Sequence, residues 1–566
     1  MADCSSSFLS FKILRHLPSL LSPKIAVFIK STLQPFLLHN LLLFLHTNKI
    51  YAQKRMINVT SNSAKKSVIM VMLDTWMDKP FQHALKEETL PAFTYFMEHG
   101  NYYPNVVSPF PTMSVNVEST LLTGHYSDQH GVPALVWYNQ KENRVINYGT
   151  HIMDLMKLGL SKSTYDALYR LNNEHLNTKV KTIHENLHEQ GKESASINPL
   201  VHRGSVPHHL TIPGFIRFFV SMDKQIETYT SLTFAYGRLS KISPLQKYSH
   251  VWNKYGFNNN FSVQEFTHLV KNKEFPAFSF LYLPDHDKNV HKHGPMDIKG
   301  IKDMDRQLQT ILDSFPTWED ALKNNIWILI GDNGQSDVKN NRQEALVDLR
   351  KLLQPLKITK LRKGVQKEDQ IVIANNLRSS LIYSLNTNDV PLGDIVEKLK
   401  EDARVEIIAW KMNEWIHVAS GDHNGSFQFK ENGEMTDEYS QTWMIDGDHS
   451  ILDLHIKDNT ITFGEFPDAL KRLHSTLHSH EGCFVVTSVK PGYEFTGEIT
   501  PTHAGGASHG GFHKNDSLIP MLVTNTASTP DFFRIVDLKK WILNLTDGYH
   551  PNSKSKERSK EEEKDI

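Results

Sequence analysis

Three apolar runs that each end in an acid restrict the fold of this chain more than any other feature. They read KSVIMVMLD at residues 66–74, FSFLYLPDHD at 278–287 and IWILIGD at 326–332. Such runs are typical of parallel strands that are buried on both faces. Helical patterns at 298–315 and 318–324 separate the last two runs, and LIPMLV follows at 518–523. The alternation predicts an α/β fold with a doubly wound, mostly parallel sheet.

The rest of the chain divides around this predicted sheet. We assign the core to residues 66–345 and 502–548, and we interpret 140–273 and 349–491 as inserted cap segments because they lack the strand-plus-acid pattern. Within the second segment, residues 405–419 predict a hairpin that turns at Asn413. The Lys-, Glu- and Ser-rich residues 552–566 predict a charged disordered tail.

The first 55 residues form a basic, partly apolar extension with no acid between Asp3 and Asp74. Polar and charged residues interrupt its apolar stretch, so it makes a poor membrane-spanning helix. Its basic region is also too long for a secretory signal. Two interpretations stay open: an extension before a functional start at Met56, or a membrane-surface anchor over residues 8–45. We therefore expect a cytoplasmic protein, membrane-associated under the second interpretation.

Composition excludes several kinds of site. The net charge is −1, so nothing in the overall charge favours binding to duplex nucleic acid. The two cysteines, Cys4 and Cys483, form neither a disulfide framework nor a thiolate zinc cluster. Any metal bound by this chain must therefore be held by carboxylates and imidazoles, and spacing must select among 30 histidines.

The acids at the ends of the three runs are Asp74, Asp287 and Asp332. Taken singly, each is more often a helix cap than a ligand. The carboxyl ends of parallel strands meet at one edge of a sheet, where ligands bind. Carboxylates that converge there repel each other unless a cation neutralises them. The three acids together therefore predict a metal centre.

Histidines near these acids are further candidate ligands. Asp287 and His291 form a D-x-x-x-H pair, a spacing that places both side chains on one face of a helix. Sequence spacing leaves three rivals close by, namely Asp285, His286 and His293. A later loop, THAGGASHGGFHKND at 502–516, adds three more histidines: His503, His509 and His513.

Thr112 is the candidate nucleophile. It lies in SPFPTMSVNVESTLLTG at 108–124, just before a predicted helix. A hydroxyl at a helix N-terminus faces backbone N–H groups, an arrangement that suits a phosphate. The same position is also typical of a simple helix cap. The residues alone leave both interpretations open.

Several short motifs occur together in a recognisable order. They are FPT at 110–112, TG at 123–124, HG at 130–131, KHGP at 292–295, GDNG at 331–334 and SHGG at 508–511. With the strand ending at Asp74, this set resembles the alkaline phosphatase superfamily, specifically its type I phosphodiesterase/nucleotide pyrophosphatase branch. Each motif alone is weak, but the ordered set is specific.

The resemblance implies two metal sites. One zinc ion would be held by Asp287, His291 and His509. The second would be held by Asp74, the nucleophile Thr112, Asp332 and Asn333, where Asn333 replaces the histidine of the family. An amide oxygen is a harder and weaker donor than an imidazole nitrogen. The second site therefore binds its metal less tightly, takes Mg²⁺ or Mn²⁺ instead of Zn²⁺, or relies on another histidine.

The resemblance also implies the reaction. We expect a hydrolase of phosphodiester or pyrophosphate bonds that uses two divalent metal ions and a phospho-threonine intermediate. Its substrate would be a small phosphoester such as a nucleotide. The alternatives are a phosphomonoesterase or phosphomutase of the same superfamily, or a metal-poor binding protein on this fold. Asp285 and Asp516 are candidates, by sequence proximity, for the groups that orient the ligating histidines.

Overall fold

The protein is described by a computed structural model that covers residues 66–547 except 150–159, 215–216, 218–222, 273–274 and 499. The expectations for residues 1–55 and 552–566 lie outside the described residues. Within the described ranges, no helix combines the length and the apolar character that crossing a membrane requires.

A seven-stranded sheet forms the centre of the fold. Its strands, in chain order, are β1 (Ser67–Leu73), β2 (Gly100–Val107), β3 (Ser194–Ile197), β4 (Thr233–Ala235), β5 (Phe278–Leu283), β6 (Asn325–Ile330) and β7 (Leu518–Thr524). They are ordered β2-β7-β6-β1-β5-β3-β4. The strands from β6 to β4 are parallel, and β7 runs antiparallel to β6 and β2. The predicted mostly parallel α/β sheet is confirmed.

Both faces of this sheet are buried, as the continuous apolar runs predicted. Along β1 the even-numbered residues from Val68 to Met72 pack into one core, and the odd-numbered residues from Ile69 to Leu73 pack into the other. The first core is covered by the helices Ser114–Thr123, Ile183–Glu189 and Leu538–Thr546. The second is covered by Asp78–Glu87, Pro91–Glu98, Asn259–Asn272, Ile298–Leu312 and Trp318–Lys323. The doubly wound arrangement is therefore confirmed.

The interpretation of residues 140–273 as an insertion requires a correction. Two strands of the central sheet, β3 and β4, come from this segment, and β3 pairs in parallel with β5. β3 reads SASI and β4 only TFA. Neither segment is a long apolar run. Strands this short are buried mainly by the elements around them, so their own sequence shows no clear hydrophobic pattern.

A second sheet of nine strands lies entirely within residues 349–491. Its strands are Ile371–Asn376, Ser379–Ser384, Val405–Met412, Trp415–Ala419, Phe427–Asp437, Thr442–Gly447, Leu454–Lys457, Thr460–Phe463 and Cys483–Val489. The helices Leu392–Lys400 and Ala469–Leu477 pack against it. The predicted hairpin is confirmed, because Val405–Met412 pairs antiparallel with Trp415–Ala419 and Asn413 adopts a left-handed φ of 57°.

Short paired segments connect the late His-rich loop to the central sheet. Ala507–Ser508 pairs antiparallel with Ser336–Asp337, just beyond the carboxyl end of β6. Glu494–Thr496 pairs in parallel with Leu346–Asp348. These pairings bring residues about 150–170 positions apart in the chain to the same edge of the sheet, where the acids of β1 and β6 also lie.

The remaining elements of the described residues are two hairpins and a set of mostly short helical segments. Two further hairpins pair Val136–Asn139 with Arg144–Asn147 and Val206–Thr211 with Gln225–Thr230. The other helical segments are Ser127–His130, Leu160–Tyr165, Asp166–His175, Val251–Gly256, Asp285–His293, Arg342–Ala345, Leu349–Leu352, Leu361–Lys363, His449–Leu452, Lys514–Ser517 and Ile535–Asp537.

Candidate active site

The acids of β1, β5 and β6 converge at the carboxyl edge of the central sheet. Asp74 follows β1 directly, Asp332 follows β6, and Asp287 lies in the first turn of the helix Asp285–His293. The Thr75 hydroxyl links two of them, because its oxygen lies 3.4 Å from Asp74 Oδ1 and 3.2 Å from Asp287 Oδ1. The sheet therefore brings the predicted carboxylates together.

We call Asp287, His291 and His509 the imidazole site. One ligand atom from each residue lies within 4.8 Å of the others, a spacing suited to a single metal ion. Asp287 Oδ1 is 3.3 Å from His291 Nε2 and 3.6 Å from His509 Nε2. Two imidazole nitrogens and a carboxylate oxygen are typical zinc ligands.

Backbone carbonyls orient both imidazoles of this site. His291 Nδ1 is 2.8 Å from the Ala507 carbonyl oxygen, and His509 Nδ1 is 2.8 Å from that of Thr112. A carbonyl only accepts, so each Nδ1 carries a hydrogen, and each Nε2 is left available to bind a metal. The two ligating nitrogens are thus held in the tautomer that binds a metal.

Asp285 and Asp516 were predicted to orient these histidines, but both contact other residues, so that prediction is wrong. Asp285 accepts from the Asn259 N–H at 2.8 Å and pairs with Lys254 at 2.7 Å. Asp516 pairs with the buried Arg378. Sequence proximity failed here because the orienting groups are main-chain carbonyls, which no side-chain pattern reveals.

The rival histidines also lie in other contacts. His286 faces Asp297 at 3.7 Å, and His513 pairs with Glu465 at 2.8 Å. His293 is exposed. His503 stays close to the site: its ring stacks on His291 with centroids 4.0 Å apart, and its Nδ1 lies 2.8 Å from Glu494.

We call Asp74, Thr112, Asp332 and Asn333 the oxygen site. Asp74 Oδ2 accepts a hydrogen bond of 2.5 Å from the Tyr282 hydroxyl. Asp332 Oδ1 accepts from the backbone N–H of Thr75 at 2.9 Å, and its Oδ2 accepts from the Ser114 hydroxyl at 2.8 Å. These donors fix the carboxylates in place, and every donor atom that the site offers to a metal is an oxygen.

Charge is balanced differently in the two sites. Burial raises the pKa of Asp74 well above its ordinary value, and the nearby carboxylates of Asp332 and Asp287 raise it further. Burial also raises the pKa of Asp332. Burial opposes the ionisation of Asp287 as well, but His291 and His509 outweigh it and hold the pKa of Asp287 below its ordinary value. Ionisation of the carboxylates in the oxygen site is thus unfavourable unless a cation neutralises them.

Asn333 is fully buried with half of its amide unused. Its Oδ1 lies 3.4 Å from the Thr75 hydroxyl, whereas its Nδ2 has no hydrogen-bond partner within the described residues. A buried amide N–H₂ without a partner is unfavourable. If the Asn333 amide is turned by 180°, its oxygen takes the place of Nδ2 and is free to bind a metal. The N–H₂ group then donates to the Thr75 hydroxyl. The donor set of the oxygen site therefore fits a hard divalent cation.

Thr112 contacts the late His-rich loop. Its carbonyl accepts from His509 of the imidazole site, and its Oγ1 accepts from the Gly510 N–H at 2.9 Å. Gly510 has φ of +92°, and a Cβ there would lie 2.4 Å from the Asn376 carbonyl oxygen, so only glycine fits. The helix Ser114–Thr123 has Met113 as its N-cap, with no side-chain cap. The alternative interpretation of Thr112 as a helix cap is therefore wrong.

A cleft of about 700 Å³ opens onto both sites. Asp74, Asp287, His291 and His509 all line it, and so do Met113 and Ser114. Thr112 itself is fully buried and directly precedes these two lining residues in the chain. A group entering the cleft therefore meets acids and imidazoles of both sites.

Three residues at the site escaped the sequence analysis. Thr75 adopts a left-handed φ of 56°, which is unfavourable for a β-branched residue and is typical of functional sites. Tyr282 holds Asp74, and Gln335 donates from Nε2 to Asp287 Oδ1 at 2.7 Å. Their only sequence signal is that each lies within five residues of Asp74, Asp287 or Asn333.

Three comparisons place this geometry among known proteins. The family model described as type I phosphodiesterase/nucleotide pyrophosphatase matches residues 68–512. No curated protein matches the sequence. The structure is similar to murine ectonucleotide pyrophosphatase/phosphodiesterase 5, with a TM-score of 0.50, 14% identity, and coverage of 85% of this chain and 95% of that one. An inactive variant of the murine protein in complex with AMP has the same values. The human protein has a TM-score of 0.49 at 14% identity, with the same coverage of both chains.

Proposed function

The chain belongs to the type I phosphodiesterase/nucleotide pyrophosphatase family, and on that premise we propose that it hydrolyses nucleotide-like phosphoesters through a phospho-threonine formed on Thr112. The family match confirms both the resemblance seen in the sequence and the predicted class of enzyme, a phosphodiesterase/nucleotide pyrophosphatase hydrolase. The observation that carries the threonine intermediate is the position of Thr112, whose carbonyl accepts from His509 of the imidazole site and whose neighbour Ser114, two residues on, donates to Asp332 of the oxygen site.

Two divalent metal ions form part of the proposal. The nitrogen-bearing imidazole site would hold Zn²⁺, and the oxygen site would hold Zn²⁺, Mn²⁺ or Mg²⁺ through Asp74, Thr112, Asp332 and Asn333. Bound there, divalent cations would lower the pKa of the Thr112 hydroxyl and stabilise charge on the phosphoryl oxygens. The unused Asn333 amide and the buried carboxylates of the oxygen site support this occupancy.

The residues of the chain position the reacting groups. In the first step Thr112 Oγ1 forms a bond to phosphorus as the bond from phosphorus to the leaving oxygen breaks; water then displaces Oγ1 from phosphorus. The Gly510 N–H, which lies 2.9 Å from Oγ1, is positioned to donate to an oxygen of the transferred group once Oγ1 turns toward the cleft. Ser114 and Thr75 hold Asp332 rigid, so its carboxylate need not reorganise during the reaction.

Support for a nucleotide-like substrate comes from two sources. The family is described as one of nucleotide pyrophosphatases, and a structural neighbour was solved with AMP. The cleft is also large enough for a small molecule, because ligand pockets typically measure about 300–1,000 Å³.

Turnover of two chromogenic esters tests the proposal. The purified protein is supplied with Zn²⁺, alone or with Mn²⁺, and assayed on bis-p-nitrophenyl phosphate and p-nitrophenyl phosphate, with a chelator-treated sample as control. We expect metal-dependent turnover with preference for the diester. Preference for the monoester would favour a phosphomonoesterase or phosphomutase. No turnover of either ester, with no metal detected by elemental analysis, would favour a metal-poor binding protein.

A further inference from the structure

Two lysines form part of the cleft wall beside the imidazole site. Lys288 and Lys292 are exposed, and both line the cleft from the helix Asp285–His293. A spacing of four residues places them on one face of the helix. Each directly follows a residue of the imidazole site, so the two ammonium groups lie on the side of the cleft where that site opens.

Neither ammonium is neutralised by the protein. In the part of the chain that the structure describes, Lys288 and Lys292 have no hydrogen-bond or ion-pair partner, whereas the nearby Lys254 pairs with Asp285 at 2.7 Å. Single unpaired lysines are common on protein surfaces. Two on one wall of a concave site create a positive potential that attracts an anion.

The rest of the cleft offers little else to a charged or aromatic ligand. Among the described lining residues, the only acids are Asp74 and Asp287, which belong to the two proposed metal sites. Tyr282 is the only phenol or phenyl ring there, and it is buried and bonded to Asp74. The facing walls are formed mainly by neutral residues, including Leu135, Leu200, Asn375, Asn376 and Leu377. The cleft thus favours recognition of a second anionic group over stacking of a base.

We propose that Lys288 and Lys292 determine substrate specificity by binding a second phosphoryl group next to the scissile phosphorus. This inference rests on the proposed function and extends it, because it assigns the preference for phosphoanhydride substrates over singly charged diesters to two particular residues. Lysine binds phosphate as a point charge through a flexible stem, so the two side chains accommodate a phosphoryl chain without a fixed geometry.

Paired substrates test this assignment. The value of kcat/KM is measured for ATP, which carries further phosphoryl groups, and for bis-p-nitrophenyl phosphate, which carries none. The variants are Lys288→Gln, Lys292→Gln, the double variant and the double Lys→Arg variant. The matched control is Lys299→Gln, an exposed lysine that does not line this cleft.

We expect each single Gln variant to lower kcat/KM for ATP by about tenfold, the strength of one charge-assisted hydrogen bond. The double variant should lose more, the double Arg variant should keep most of the activity, and bis-p-nitrophenyl phosphate should change less than about twofold. The dependence of the ATP rate on salt should also weaken in the double Gln variant. Equal losses on both substrates, or no loss on ATP, would overturn the inference.

A binding measurement separates this inference from the proposed function. The affinity of the metal-loaded protein for methylenebisphosphonate, which cannot be hydrolysed, is measured by calorimetry for the wild type and the double Gln variant. Weaker binding in the variant supports the role of the lysines, and unchanged binding contradicts it, whether or not the wild type turns over any ester. Absence of turnover in the wild type counts against the proposed function alone.

Discussion

The imidazole site and the oxygen site lie at one edge of one sheet, yet they differ in chemistry and in charge. In the imidazole site a carboxylate is balanced by two histidines, and all three residues border the cleft. In the oxygen site two buried carboxylates have raised pKa values, and no imidazole belongs to the site. The difference arises from the loops: the late His-rich loop supplies His509 to one site, whereas the GDNG turn supplies Asn333 to the other. The two donor sets therefore suit metals of different preference.

Replacing Thr112, the proposed nucleophile, gives the largest expected effect. Thr112→Ala should lower turnover by about 10³-fold or more, because the nucleophile is lost. The backbone carbonyl that orients His509 remains, so the imidazole site should keep its zinc when metal content is measured by mass spectrometry. Thr112→Ser keeps the hydroxyl and should retain much of the activity. Full activity in the Ala variant would remove Thr112 from the mechanism.

The second prediction breaks the imidazole site alone. His509→Ala removes one of its three ligands, so zinc affinity at this site should fall by more than the roughly 10–100-fold caused by losing an outer-shell partner. Titration with a zinc chelator measures the affinity. The matched control is His513→Ala, since His513 pairs with Glu465 and lies outside the site. If both variants bind zinc equally well, His509 is not a ligand.

The third prediction makes the oxygen site resemble its neighbour. Asn333→His replaces an amide with an imidazole, a better ligand for zinc, and should raise zinc affinity at the oxygen site by about tenfold. Zinc content after dialysis should rise toward two equivalents, and activity should depend less on Mn²⁺ or Mg²⁺. Unchanged zinc content together with an unchanged rate would show that Asn333 does not face the metal.

The smallest expected effect concerns the metal-free protein, in which the acids of the two sites should have opposite effects on stability. The pKa of Asp74 is raised on folding, so its stabilising contribution is present at low pH and is lost as pH rises through the raised value. The pKa of Asp287 is lowered, so its contribution is present above about pH 4 and is lost as pH falls.

Thermal unfolding of two variants at neutral pH in the presence of a chelator checks these signs. Asp74→Asn should raise Tm and Asp287→Asn should lower it, each by on the order of 1 °C in a chain of this size. The difference between the two Tm shifts should shrink near pH 4, where both acids begin to be protonated in the unfolded chain. Shifts of the same sign in both variants would contradict the contrast in charge between the two sites.

Sequence reasoning succeeded where local pattern and burial agree. β1, β5 and β6 were predicted because strands buried on both faces require continuous apolar runs, and the hairpin that turns at Asn413 was predicted from its alternating pattern. It failed for β3 and β4, which are too short to show a pattern, and it did not resolve the nine-stranded sheet.

The sequence by itself determined the parallel core, the acids at its edge and the family, because hydrophobic patterns and ordered motifs are visible in the sequence alone. It also set the donor types available, including an amide at Asn333. Only the tertiary structure decided which atoms meet: Asp287 instead of Asp285 beside His291 and His509, carbonyls instead of carboxylates behind the imidazoles, and a left-handed Thr75 between the sites. Apart from the Asp287–His291 pair, these contacts join residues more than 200 positions apart, and only the packing of the chain sets such distances.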